Sequence, residues 1–213
     1  MNPPRSEGRA DEDAPVPSGR HAVRVADLTS AVADDADELH ALREAAARWL
    51  VGQGVRQWQP GEVDIRTIRR QIEGGEWFVH RRTGRLLAAL RFLWSDPLFW
   101  GEQPDDAAYV HGLVIDRRHA GEGLGAGALR WAEERARTAG RTYLRLDHAA
   151  DNARLARYYR ERGFIERARR EFDAWGPVLL VEKSLDAGDE LSRTRKTPET
   201  EGRRGSPGST GTR

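Results

Sequence analysis

Residues 117–134, RRHAGEGLGAGALRWAEE, place four glycines at alternating positions from Gly121 to Gly127, directly ahead of a helical pattern. Glycine is the poorest helix former after proline, so a helix that begins this way has another reason for it. The preceding segment, AYVHGLVID (107–116 with its leading alanine), alternates as a strand. A strand, a glycine turn and a helix together present free backbone N–H groups and the positive end of a helix dipole, an arrangement that attracts phosphate. Two phosphate fingerprints can be tested at once. The P-loop requires Lys followed by Ser or Thr after its last glycine, and no lysine follows here. The dinucleotide pattern G-x-G-x-x-G/A fits Gly121-Glu122-Gly123-Leu124-Gly125-Ala126, and Asp147 ends the next strand. That fit is set against by its position, late in the domain and with no further βαβ unit after it.

The rest of the chain reads as one domain of about residues 21–185 between two polar tails. Residues 1–20 are charged and proline-rich, and residues 186–213 turn from charged to Gly/Ser/Thr-rich, so both are expected to be disordered. Between them, AVRVA (22–26) alternates as a strand. A helix then carries Leu39, Leu42, Ala46, Trp49 and Leu50 and closes on Gly52 and Gly54. A second helix covers about 63–73. EWFVHR and RLLAALRFLW flank Thr83-Gly84-Arg85 as a hairpin, and the loop WSDPLFWGEQPDD follows. After the glycine helix come the strand RTYLRLDHA, the helix DNARLARYYRER and two closing strands near 164–172 and 177–184. The order β-α-α-β-β-β-α-β-α-β-β predicts an α/β domain with a mixed sheet, not a doubly wound array.

A second motif stands about thirty residues beyond the glycines: Asn152-Ala-Arg-Leu155-Ala-Arg-Tyr158-Tyr159-Arg-Glu-Arg-Gly163-Phe164. With Arg118-His119-Ala120-Gly121-Glu122-Gly123 and the element order, it resembles the GNAT superfamily of N-acetyltransferases over about residues 22–185. One departure is Ala120, where many members carry Arg or Lys. The resemblance implies a mixed, mostly antiparallel sheet of six to seven strands with about four helices, and acetyl-CoA as co-substrate with no metal. It also implies that Arg118, Ala120, Gly121, Glu122, Gly123, Leu124, Gly125 and Ala126 cradle the CoA pyrophosphate. The backbone of Leu113, Val114 and Ile115 would pair with the pantetheine arm, and Asn152 would contact the cofactor, although plain helix capping explains an asparagine there equally well. Gly112 permits a bulge in the strand ahead of these residues.

The implied chemistry moves an acetyl group to an amine, which needs a base for the amine and a proton for the departing thiolate. With no cysteine in the chain, direct attack in a ternary complex is the expected route. Tyr159 is the candidate acid, a phenol of pKa about 10 acting on a thiolate of about 8.5. His111 is the candidate base, its ordinary pKa of about 6.5 suiting neutral pH. His148, Asp147, Asp96 and a water chain are alternatives. By strict two-residue alternation, Tyr109, Leu113 and Ile115 share the face of His111. Tyr158 and Tyr159 are adjacent on a helix, so at most one is expected to pack on the core. Candidate acceptor-side residues are Trp58, Trp94, Asp96, Trp100 and Asp147, aromatics beside carboxylates that would suit a cationic amine with an apolar body.

Formal net charge is +1, from 35 basic and 34 acidic residues, which argues against nucleic-acid or membrane-surface binding. There is no signal-peptide pattern and no apolar run of transmembrane length, so a cytoplasmic monomer or homodimer is expected. The leading function is acetylation of a small-molecule primary amine. Peptide or protein N-acetylation and a non-catalytic acyl-CoA-binding module of the same fold are the alternatives.

Overall fold

The computed structural model describes residues 28–173 and 176–186. The expected strand at 22–26 and both expected tails lie outside the described residues, apart from Asp186. Seven strands form one sheet: β1 (Leu28–Ser30), β2 (Trp77–Arg82), β3 (Arg85–Leu93), β4 (Ala107–Ile115), β5 (Tyr143–Ala149), β6 (Ile165–Phe172) and β7 (Gly176–Ser184). Their order is β1-β2-β3-β4-β5-β7-β6, and β4–β5 is the parallel pair among antiparallel neighbours. The helices are α1 (Ala36–Gly52), α2 (Ile65–Glu73), α3 (Pro97–Trp100), α4 (Leu124–Thr138) and α5 (Ala153–Arg160). From α1 onward the expected order holds, with the four-residue α3 added inside the aromatic loop, and β1 at Leu28–Ser30 is a strand the sequence did not suggest.

Local chemistry sets these boundaries. Asp64 caps α2 by accepting from Arg66 N at 2.7 Å, and Asn152 caps α5 by accepting from Leu155 N at 3.0 Å. The β2–β3 turn has Thr83 at φ 50° and Gly84 at φ 79°, the two left-handed residues of a tight hairpin turn whose twist matches the strands.

Side chains alternate between two faces of the sheet. Helix α4 and Tyr159 cover one face, packing on Phe78, Phe92, Val110, Leu144 and Leu146. Helices α1 and α2 cover part of the other face, over Trp77, Val79, Ala89 and Val114. A separate cluster of Trp100, Ala107, Tyr109, Val178 and Leu180 covers the rest of that face. The buried Arg145 guanidinium ties this region together, bonding Glu182 at 2.8 Å and Tyr109 Oη at 3.0 Å.

Candidate active site

Strands β4 and β5 pair only from Ala107↔Tyr143 to Val110↔Leu146. Beyond that point each continues without the other, β4 along β3 and β5 along β7. The two strands therefore part, and the facing backbone groups of the second half of β4 have no strand partner on that side. An opening of this kind offers a chain-like ligand a ladder to pair with.

A bulge in β4 shapes the opening. The register with β3 runs Ala89↔Val114 and then Arg91↔His111, so β4 holds one extra residue opposite Leu90. Gly112 absorbs it at φ +58°, and a Cβ there would stand 2.7 Å from Trp77 Cη2. The bulge corrects the expected alternation. Tyr109 packs on the α3 side, but Leu113 and Ile115 pack on the α4 side, and Val114 joins the α1 cluster. One inserted residue reverses which side chains face which way. Leu113 and Ile115 therefore do not share the face of His111.

The glycine turn follows directly. Asp116 accepts from Arg118 N at 3.1 Å and from Arg118 Nε at 3.0 Å, which folds that arginine back on its own turn. These bonds to Arg118 hold the Asp116 carboxyl below its usual range. Glu122 is held by His119 at 2.8 Å and by Arg82 at 2.9 Å, which lowers its pKa. With both side chains tied down, the turn presents backbone. Gly121 and Gly123 have φ of +91° and +83°, and Gly123 is the N-cap of α4. The first bond of the helix runs from Gly127 N to Gly123 O at 2.9 Å, so the Leu124, Gly125 and Ala126 amides stand ahead of it. At Gly125 the cradle is closed from behind: a Cβ would lie 2.8 Å from Tyr158 Oη. Arg117 does not reach toward this turn; its guanidinium lies 3.7 Å over the Trp49 ring.

At the parting of the strands, His111 is clamped between two carboxylates. Its Nε2 is 3.1 Å from Asp96 Oδ2, and its Nδ1 is 2.9 Å from Asp147 Oδ1. Both ring nitrogens face acceptors, so both carry protons. Burial alone lowers the pKa of His111, but the bonds to Asp147 and Asp96 outweigh it and raise the value to about 9. The imidazole is thus charged at neutral pH, and the ordinary value of about 6.5 does not apply. The Phe99 ring stands 5.3 Å from the His111 ring and 4.8 Å from Phe172, making an aromatic wall beside the cluster.

Tyr159 is buried on the α4 face. It stacks on His148 at 5.7 Å and 29°, and meets Phe164 edge-on at 5.6 Å. Burial pushes its pKa well above that of an ordinary phenol, with further contributions from Tyr158 and the Asp147 charge. Tyr158 is half-buried against the same core, so both tyrosines of the pair pack on it, contrary to expectation.

The remaining candidates separate. Asp96 and Asp147 are brought together with His111. Trp58 lies over Arg43 of α1, whose guanidinium is 4.8 Å from the ring centroid. Trp100 is buried beneath the site, 6.1 Å from Tyr109. Trp94 does not join them: it packs on Phe92 at 4.8 Å, on the α4 face of the sheet. Asn152 does cap α5, and its Nδ2 also lies 3.4 Å from Gln57 Oε1. Gln57 went unnoticed in the sequence, because nothing local marks a glutamine that bonds a residue 95 positions away.

The sequence profile described as "Acetyltransferase (GNAT) family" matches residues 39–164. The chain belongs to the GNAT family. It is 35% identical over 142 residues to the uncharacterized N-acetyltransferase YesJ of Bacillus subtilis (strain 168), covering 63% of this chain and 78% of YesJ. A GNAT-family acetyltransferase of Listeria monocytogenes shares the fold at TM-score 0.61 and 23% identity, over 74% of this chain and 93% of that one. So does yncA of Salmonella typhimurium, a putative acetyltransferase solved with acetyl-CoA, at TM-score 0.57 and 18% identity, over 75% and 93%. As a GNAT member the protein is an acetyl-CoA-dependent acyltransferase with the fold its sequence implied. Its residues fit that co-substrate: positive-φ glycines and free helix amides for a pyrophosphate, beside a half-strand unpaired on the edge that faces β5. No helix among the described residues is long and apolar enough to cross a membrane.

Proposed function

We propose that the enzyme acetylates a primary amine of a small cationic molecule by direct attack in a ternary complex. The observation that carries this reading is the clamp of His111 between Asp96 and Asp147 at the parting of β4 and β5. Two carboxylates and one imidazolium leave one negative charge in excess, which attracts an ammonium, and the Phe99–Phe172 wall receives an apolar body.

Acetyl-CoA, when bound, supplies the activated acetyl group. Amides of residues 121–126 and the face of β4 around 113–115 hold it, and Asn152 offers its remaining Nδ2 proton. In its neutral form, reached when the second ring proton passes to solvent, His111 takes the proton that the incoming ammonium loses and so returns to the imidazolium. Its high pKa makes the neutral form a strong base and matches the basicity of an alkylamine. Tyr159 keeps its proton across the working pH range and offers it as a hydrogen bond to the departing sulfur. Asp147 links the two groups, bonding His111 and raising the pKa of the Tyr159 phenol through its charge. The chain has no cysteine to carry an acetyl group, which supports direct transfer.

A panel of small amines assayed for CoA release tests the reading. Turnover is expected with cationic amines bearing aromatic or aliphatic bodies. Turnover of peptide N-termini alone would refute the small-molecule assignment, and a ping-pong pattern of product inhibition would refute direct attack.

A further inference from the structure

The loop from Gln53 to Asp64, between α1 and α2, is fastened at two sides. On one side it is held by α1: Glu44 accepts from Gly61 N at 2.9 Å, His40 Nε2 meets Val63 O at 3.1 Å, and Arg43 lies 3.7 Å from Glu62. On the other side, toward the end of β5, the hydrogen bonds come from one side chain. Gln57 Oε1 accepts from Ala149 N at 3.0 Å and from Asn152 Nδ2 at 3.4 Å.

The direction of the Ala149 amide gives this contact its meaning. Ala150 N bonds Pro177 O at 2.9 Å, toward β7. Adjacent amides in an extended chain point to opposite sides, so the Ala149 amide points away from β7, into the gap that β4 has left. Gln57 stands where a strand partner would otherwise stand. Its second donor, Asn152, has its Oδ1 committed to capping α5, so the carboxamide orientation is fixed and Nδ2 faces Gln57. The residue next along the loop is Trp58, on the acceptor side.

We propose that Gln57 is a positioning residue that couples cofactor binding to the order of the acceptor loop. This rests on the proposed reading of Asn152 as a cofactor contact and of this loop as part of the acceptor site. A cofactor that steadies Asn152 and the end of β5 steadies Gln57, and through it the loop carrying Trp58. Both bonds use Gln57 only as an acceptor, which sets a sharp rule for substitution. Gln57→Glu keeps both bonds. Gln57→Met has similar length and no acceptor, and leaves the buried Ala149 amide without a partner.

The experiment is hydrogen exchange of residues 53–64 and 145–152 in the full chain, with and without acetyl-CoA, for wild type, Gln57→Glu and Gln57→Met. In wild type and Gln57→Glu, acetyl-CoA is expected to slow exchange across residues 53–64. In Gln57→Met that slowing is lost, and exchange with acetyl-CoA present runs roughly tenfold faster than in wild type, as expected for one missing bond to a buried amide. Acetyl-CoA affinity, measured by titration on the same samples, shows that each variant is folded and loaded. If Gln57→Met keeps the acetyl-CoA-dependent slowing, or Gln57→Glu loses it, the coupling is refuted. The amine panel decides the acceptor reading separately: no CoA release with any amine would refute that reading, while the exchange data still judge Gln57.

Discussion

Replacing Gly112 by alanine probes the bulge that shapes the cleft, and its cost can be worked out in two parts. The residue holds φ +58°, where an L side chain is strained by about 1–2 kcal/mol. The new methyl would also meet Trp77 Cη2 at 2.7 Å. Trp77 is 3% exposed in the α1 cluster, and its Nε1 bonds Gln71 Oε1 at 2.9 Å, so the ring cannot swing away freely. Overpacking of this kind costs about 1–3 kcal/mol. The sum is about 2–5 kcal/mol, which for a domain of this size lowers Tm by roughly 6–15 °C. Calorimetry or a denaturant melt of Gly112→Ala reads the total. A double-mutant cycle with Trp77→Phe separates the parts, because phenylalanine removes the ring atoms that collide. In the Trp77→Phe background the Gly112→Ala cost is expected to fall to the backbone strain alone. A total below about 1 kcal/mol, or the same cost in both backgrounds, would refute the reasoning.

Other outcomes follow from the same geometry. With one alkylamine acceptor, log kcat/KM is expected to show a limb near 9, the value to which Asp147 and Asp96 raise His111, that His111→Gln lacks; the same profile in both proteins would exclude His111 as the base. The clamp also links stability to pH. Because the folded pKa of about 9 exceeds the unfolded value, its contribution of up to about 3 kcal/mol is full below pH 6.5 and lost as pH rises through 9, and urea melts of His111→Gln should lack that alkaline loss. Tyr159→Phe keeps the ring contacts and removes the donor, so kcat is expected to fall about 10²–10⁴-fold; an unchanged kcat would remove the acid role. Glu182→Ala leaves the buried Arg145 without its closest carboxylate, and a destabilisation of about 3 kcal/mol is expected in a denaturant melt.

How much of this was legible in the sequence depended on how far apart the partners lie. The glycine turn and the Asn152-to-Phe164 segment were readable because each is a local pattern whose residues serve neighbouring backbone. The four longer helices, the hairpin and the succession of strands from β2 onward followed from periodicity and turn residues in the same way. The faces of β4 were not readable beyond Gly112, since a period of two contains no sign of an inserted residue. A glycine there hinted at a bulge without saying that Leu113 and Ile115 would change sides. Nor was the charge state of His111, because Asp96 and Asp147 lie 15 and 36 positions away and meet it only through the sheet. The separation of Trp94 from the His111 cluster was hidden for a related reason. It stands two positions after Phe92, just past the end of β3, and packs on that ring, a parity that composition alone did not use.

The short β4–β5 ladder divides the molecule mechanically. Four residue pairs join a half containing β1 to β4 to a half containing β5, β7 and β6, whereas seven pairs join β5 to β7. Each half is a continuous antiparallel sheet, and apart from the three-pair β1–β2 edge the seam is the shortest ladder of the whole sheet. A ligand lying across the gap, or a side chain such as Gln57 spanning it, acts as a cross-brace on that seam. Under load, or on the slow timescale of partial unfolding, the two halves are expected to separate at this seam, and a bound co-substrate sets how often that happens.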